Sequence, residues 1–129
     1  FVSSTMMINH KNGKTGEDIA AEFFEANGYT VLCRNYRAGH LETDLIVENF
    51  ESVAFVEVKT RTDGKNVLKY GSPRSAVNQA KQERLVQAAK IFLSEHNIKK
   101  KPRMDVVEIY LDADGDFKKM TYIRNAFGG

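Results

Sequence analysis

The sequence predicts one α/β domain built on a central mixed β-sheet flanked by helices. The elements run helix, three strands, helix, two strands, an order that suits a sheet covered by helices. Val53 and Phe55 on one face and Ala54, Val56 and Val58 on the other are apolar, as expected of a strand buried on both faces. A length of 129 residues suits a single core.

The first helix is expected from Thr15 to Asn27. Thr15 is the N-cap, Asp18 the capping-box acid, and Ile19, Ala20, Phe23 and Phe24 have helical apolar spacing before Gly28. A β-rich run, Tyr29 to Tyr36, gives the first strand, and Arg37 to Leu41 a turn. Strands over Thr43–Glu48 and Val53–Arg61 flank the loop Asn49–Ser52, and the polar, Gly/Lys-rich interval Thr62–Gly71 reads as a loop. Ser72-Pro73 signals a helix start, with the helix running to about Asn97 on a stripe of Val77, Ala80, Leu85, Ala88, Ala89 and Phe92. Lys99-Lys-Lys101-Pro102 ends it. Arg103–Leu111 and Phe117–Ile123 then form a hairpin around Asp112–Asp116. That acidic turn lacks the bidentate Glu of a calcium loop, because Ile123 stands at its twelfth position. Residues 1–12 read as an N-terminal tail, its start a remnant of expression or proteolysis, and residues 13–127 as the domain.

Composition excludes several classes. With 42% hydrophobic and 28% charged residues the chain can bury a core and is not disordered as a whole. No apolar run approaches the ~20 residues of a membrane helix, and residues 1–7 do not read as a signal peptide. The single cysteine, Cys33, excludes an internal disulfide and a cysteine zinc cluster, reads as a small core residue, and fits a reducing cytoplasm. A net charge of +2 favours a nucleic-acid partner only slightly.

The chemistry concentrates in the hairpin around Asn49–Ser52. A symmetric loop pairs Glu48 with Val53, Val47 with Ala54, Ile46 with Phe55 and Leu45 with Val56, and sets Asp44 opposite Glu57 on one face. Alternation puts Lys59 on that face too. Two facing acids beside a core repel each other and are costly to bury, and a divalent cation bound by oxygen ligands, Mg²⁺ or Mn²⁺, would relieve both problems. A solvated edge or a structural salt bridge is the competing reading. Two helical residues add to the set. Glu17 shares a side of the first helix with Ala20, Ala21 and Phe24, although a first-turn Glu also suits the helix dipole. Lys81 lies inside the apolar stripe, between Val77 and Leu85, where snorkelling is the alternative to a site role. Of the histidines, only His40 is close enough in sequence to approach Asp44.

Gly16-Glu17, Arg34-Asn35-Tyr36-Arg37, Glu42-Thr43-Asp44-Leu45-Ile46, Phe55-Val-Glu-Val-Lys-Thr-Arg61, Tyr70-Gly71-Ser-Pro73, Ala76-Val77, Lys81 and Arg103-Met-Asp105-Val-Val107 occur in that order. Together they resemble the YraN family, an uncharacterised bacterial group similar to archaeal Holliday-junction resolvases. The resemblance implies the restriction-endonuclease-like, three-layer PD-(D/E)xK fold. Asp44 and Glu57 would then be metal ligands, Lys59 the residue beside the attacked phosphate, Glu17 the added helix carboxylate and Lys81 a further polar site residue. Leu41 and Thr43 depart from the family's Gly-Glu-Ile-Asp pattern. The implied activity is Mg²⁺- or Mn²⁺-dependent endonuclease cleavage of DNA more than of RNA, with branched DNA suggested by the resolvase likeness. Arg34, Arg37, Arg61, Lys65, Lys69 and Arg74 are candidates to track the phosphate backbone. Two alternatives stay open: a non-catalytic nucleic-acid-binding module that keeps the nuclease fold, and a protein–protein scaffold acting as a homodimer.

Overall fold

The computed structural model describes residues 2–4, 15–62 and 77–127. The expected loop Thr62–Gly71 beyond Thr62, the Ser72-Pro73 helix start, Lys65, Lys69 and Arg74 lie outside the described residues. The elements are β1 (Val2–Ser4), α1 (Gly16–Ala26), β2 (Thr30–Ala38), β3 (Leu41–Glu48), β4 (Ser52–Thr62), α2 (Gln79–Glu95), β5 (Lys101–Leu111) and β6 (Phe117–Phe127). They build a sheet of order β1-β6-β5-β4-β3-β2. The β4–β5 pair is parallel and the others antiparallel, so the sheet is mixed. A parallel pair needs a crossover, and α2 lies between these strands in sequence.

The sheet is the middle of three layers. Ile19, Ala20, Phe23 and Phe24 of α1 pack on Leu45, Val47, Ala54 and Val56. On the opposite face Ala89 and Phe92 of α2 pack on Ile46, Val53 and Phe55. β4 thus feeds both cores by simple alternation.

Local chemistry sets the boundaries. Thr15 caps α1 in a complete capping box: Thr15 Oγ1 accepts from the Asp18 N–H and Asp18 Oδ2 from the Thr15 N–H. Ala38 pairs with Leu41, so β2 and β3 join through a tight turn at Gly39-His40, with Gly39 at positive φ. The expected longer turn shrinks because Leu41, buried against the interior, joins the ladder. α2 starts at Gln79, where Asn78 is extended and its side chain accepts the Lys81 N–H at 2.9 Å. Val77 and Asn78 are therefore not helical, and Ala80, expected in the apolar stripe, is exposed on the first turn. Asp112 Oδ1 accepts the N–H groups of Asp114 and Asp116, making the acidic segment a hairpin turn. The pairing of β1 with β6, from Val2↔Tyr122 to Ser4↔Met120, was not expected from a tail.

Candidate functional site

The β3–β4 ladder follows the expected register from Glu48↔Val53 to Leu45↔Val56 and stops there. The next pair, Asp44 and Glu57, is not a ladder pair. Asp44 Oδ2 instead accepts the Val58 N–H at 2.8 Å, so a side chain takes the place of a strand carbonyl. The β2 side is interrupted at the same level: Arg34 pairs with Leu45 and Tyr36 with Thr43, while Asn35 between them adopts φ 52°. Asparagine tolerates this left-handed conformation better than other non-glycine residues. Asp44 therefore sits where backbone pairing lapses on both sides, and its carboxyl reaches Glu57.

The electrostatics follow from that placement. Burial, then the charge of Glu57, pushes the Asp44 carboxyl up to about 7. A hydrogen bond shared with Glu57 and the charge of Glu17 add to the rise, against the opposing pull of the Val58 N–H. Glu57 is only 3% exposed. Its Oε2 is met by Lys81 Nζ at 2.5 Å and Lys59 Nζ at 3.4 Å. Burial works against the Lys81 ammonium, but the hydrogen bond and charge of Glu57 outweigh it and raise its pKa. Lys81 is thus turned inward onto an acid and is not merely snorkelling to water.

Glu17 comes from the opposite layer. α1 approaches β4 so closely at Gly16 that a Cβ there would lie 1.9 Å from Thr60 Oγ1. Glu17, next in sequence, is half-buried and near enough for its charge to act on Asp44. The structure therefore brings Asp44, Glu57, Lys59 and Lys81 together at one end of the β3–β4 pair, while Glu17 acts on Asp44 only through its charge.

The flanking arginines are each engaged with acids. Arg34 bonds Asp18 at 2.7 Å and lies 4.0 Å from Glu17. Arg37 pairs with Glu42 at 3.2 Å on the open surface. Arg61 Nε lies 3.3 Å from Glu108 Oε2. Sequence reasoning missed Glu108, which is fully buried, accepts from the Tyr110 hydroxyl, and stands in register with Lys59 on the parallel neighbour. An acid inside the apolar run Val106–Tyr110 was the available signal. Asp105 carries the same signal but serves the opposite face. Arg103 grips both its oxygens, Tyr122 donates to it at 2.5 Å, and Arg103 also reaches the Tyr29 hydroxyl at 2.7 Å.

Among the described residues no group of three or more histidines, cysteines and acids is placed to hold a metal. The donor set is the Asp44–Glu57 pair. It fits Mg²⁺ or Mn²⁺ in one respect: a hydrated hard cation needs only one or two carboxylates, and the facing acids now rely on a proton and two ammonium groups for relief.

The sequence model of the uncharacterised protein family UPF0102 matches residues 16–109. The chain is 37% identical over 123 residues to a UPF0102 protein of Caldanaerobacter subterraneus subsp. tengcongensis, covering 93% of this chain and 98% of that one. It is 45% identical over 108 residues to a UPF0102 protein of Chloroherpeton thalassium, covering 83% and 81%. It is 41% identical over 120 residues to one of Acetivibrio thermocellus, covering 89% of each. A solved structure, Pyrococcus furiosus SfsA in complex with Ca²⁺, is similar at a TM-score of 0.36 and 16% identity over 84% of this chain and 59% of that one, too distant to carry an argument.

Proposed function

The chain belongs to the uncharacterised protein family UPF0102, the YraN-like group, and we propose that it acts there as a metal-dependent endonuclease on DNA phosphodiesters. One observation carries the reading: opposed Asp44 and Glu57, with Lys59 and Lys81 on the second acid, meet where strand pairing opens. In the reaction a water oxygen bonds to phosphorus, one P–O ester bond breaks, and a hydroxyl and a phosphomonoester result. Asp44 and Glu57 would hold Mg²⁺ or Mn²⁺, which when bound draws charge from a phosphate oxygen and makes water more acidic. Lys59, side chain 29% exposed, can leave Glu57 for a phosphate oxygen and stabilise the charge that grows there. Lys81 is similarly accessible and supplies a second cation. The resolvase likeness of the family favours branched DNA, and recognition through the backbone fits a chain with few candidates for base readout.

The test is incubation of purified protein with Mg²⁺ or Mn²⁺ and linear, flapped and four-way DNA. The expected result is cutting that EDTA stops and that Glu57→Ala with Lys59→Ala abolishes. Cutting unchanged in that variant would reject the mechanism. A second reading, a DNA-binding module without catalysis, draws on the self-neutralised state of the pair, in which two lysines already answer Glu57. It predicts salt-sensitive DNA binding that no divalent ion alters.

A further inference from the structure

We infer that the cleft between the Gly39-His40 turn and the first turns of α2 is a subsite for a DNA backbone phosphate adjoining the one attacked. The inference rests on the endonuclease reading for its ligand and shares with it only the Lys81–Glu57 contact. A cleft of about 250 Å³ is lined by His40, Leu41, Glu42, Lys81, Arg84 and Leu85. Leu41 and Leu85 are buried at 7% and 3% exposure and form a fixed floor. Lys81 forms one wall while its Nζ touches Glu57, so the cleft begins where the acid pair ends. Arg84 follows Lys81 by three positions on the same side of the helix. It is exposed and ion-paired to no described acid, unlike Arg34, Arg37 and Arg61.

The charge balance favours an anion. Among the described residues Glu42 is the sole acid of the lining, and its carboxylate is drawn to Arg37 at 3.2 Å. Lys81, Arg84 and the His40 ring present donors, and an arginine fork matches phosphate oxygens in pairs. The cleft between α1 and β2 has the opposite character: Asp18, Glu22 and Glu25 line it with Arg34, which bonds Asp18. A strand placed with one phosphate at Asp44 and Glu57 would therefore pass by way of Lys81 toward Arg84 and His40, and not toward the acidic side of α1.

The experiment measures binding of a fluorescent four-way junction and a linear duplex in EDTA, across a KCl series, to the full chain and to Arg84→Ala and Arg84→Lys. Arg84→Ala should weaken both complexes several-fold and lower the slope of log affinity against log salt by about one. Arg84→Lys should keep the slope. In parallel, inorganic phosphate is titrated into ¹⁵N-labelled protein. Amides of residues 40–42 and 81–85 should shift in the parent chain and not in Arg84→Ala. A parent-like affinity and slope in Arg84→Ala would overturn the subsite and leave the endonuclease reading standing. Phosphate shifts at the cleft without any DNA affinity would uphold the anion site and overturn the reading that names DNA as its ligand. Absence of both would overturn both.

Discussion

At the scale of single residues, the charge state of Asp44 gives the sharpest test of the site. Its folded pKa is raised to about 7, chiefly by burial and then by Glu57. The native protein then keeps a proton that the unfolded chain releases in the ordinary carboxylate range. Stability is full below that range and declines as pH rises toward 7. Without divalent ions, urea unfolding should show a loss on the order of 2 kcal/mol between pH 4.5 and 7.5, largely absent in Asp44→Asn. A flat profile in the parent chain would show that the fold does not hold the Asp44 carboxyl protonated. Thr43 offers a second test: it is 1% exposed, and its hydroxyl has no hydrogen-bond partner among the described residues. Thr43→Val keeps the shape and removes an unsatisfied group, so stability should rise by about 1 kcal/mol in thermal unfolding. The rule that exposed Glu57 in the sequence, an acid within an apolar strand, also marks Asp105 and Glu108. At those two positions it singles out no site, because no turn of known length sets an acid opposite either of them. The roles of these acids could not be read in any case, since Asp105 serves a structural network and only tertiary contacts reveal it.

At the scale of elements, the hairpin register was legible because loop length and alternation fix it without outside help. The end of the ladder at Asp44 was not, because it shows only in the contact by which the Asp44 side chain takes the Val58 N–H. The unbroken helix expected through Val77 and Asn78 is not seen either, because the Asn78 side chain caps α2 and starts it at Gln79. The seat of α1 on β4 is a third contact between elements that the sequence conceals. Gly16 lets the helix approach Thr60, whose Oγ1 would lie 1.9 Å and Cβ 3.2 Å from an added Cβ. Gly16→Ala should therefore push α1 off the sheet and cost about 1–3 kcal/mol in urea unfolding. Because the closest atom is the Thr60 hydroxyl, Gly16→Ala combined with Thr60→Ala should recover part of that loss. A double-mutant cycle measures the coupling. Simple additivity would mean that the helix does not rest on Thr60.

At the scale of the whole molecule, the two faces of the sheet hold their buried acids differently. Fold class was legible because element order and a doubly apolar strand dictate layers. Which partners the buried acids find could be read only from the tertiary contacts. On the α1 face, Arg103 and Asp105 tie β5 to Tyr122 of β6 and to Tyr29 beyond α1, and the Asn125 N–H also donates to Asp105 at 2.9 Å. Asp105 is fully buried, so removing it leaves an arginine with 7% exposure uncompensated. Asp105→Ala should cost about 3–5 kcal/mol of stability. On the α2 face, Asp44 keeps a raised pKa beside Glu57, which two lysines meet. Asp44→Asn should leave stability at pH 7.5 unchanged or higher while abolishing any divalent-ion binding seen by calorimetry. The contrast is the test: loss of stability confined to Asp105→Ala, and loss of ion binding in the still-folded Asp44→Asn, would separate a structural acid from a functional one. If Asp44→Asn unfolded as readily as Asp105→Ala, the acid pair would be a strut of the fold, and the endonuclease reading would lose the site on which it stands.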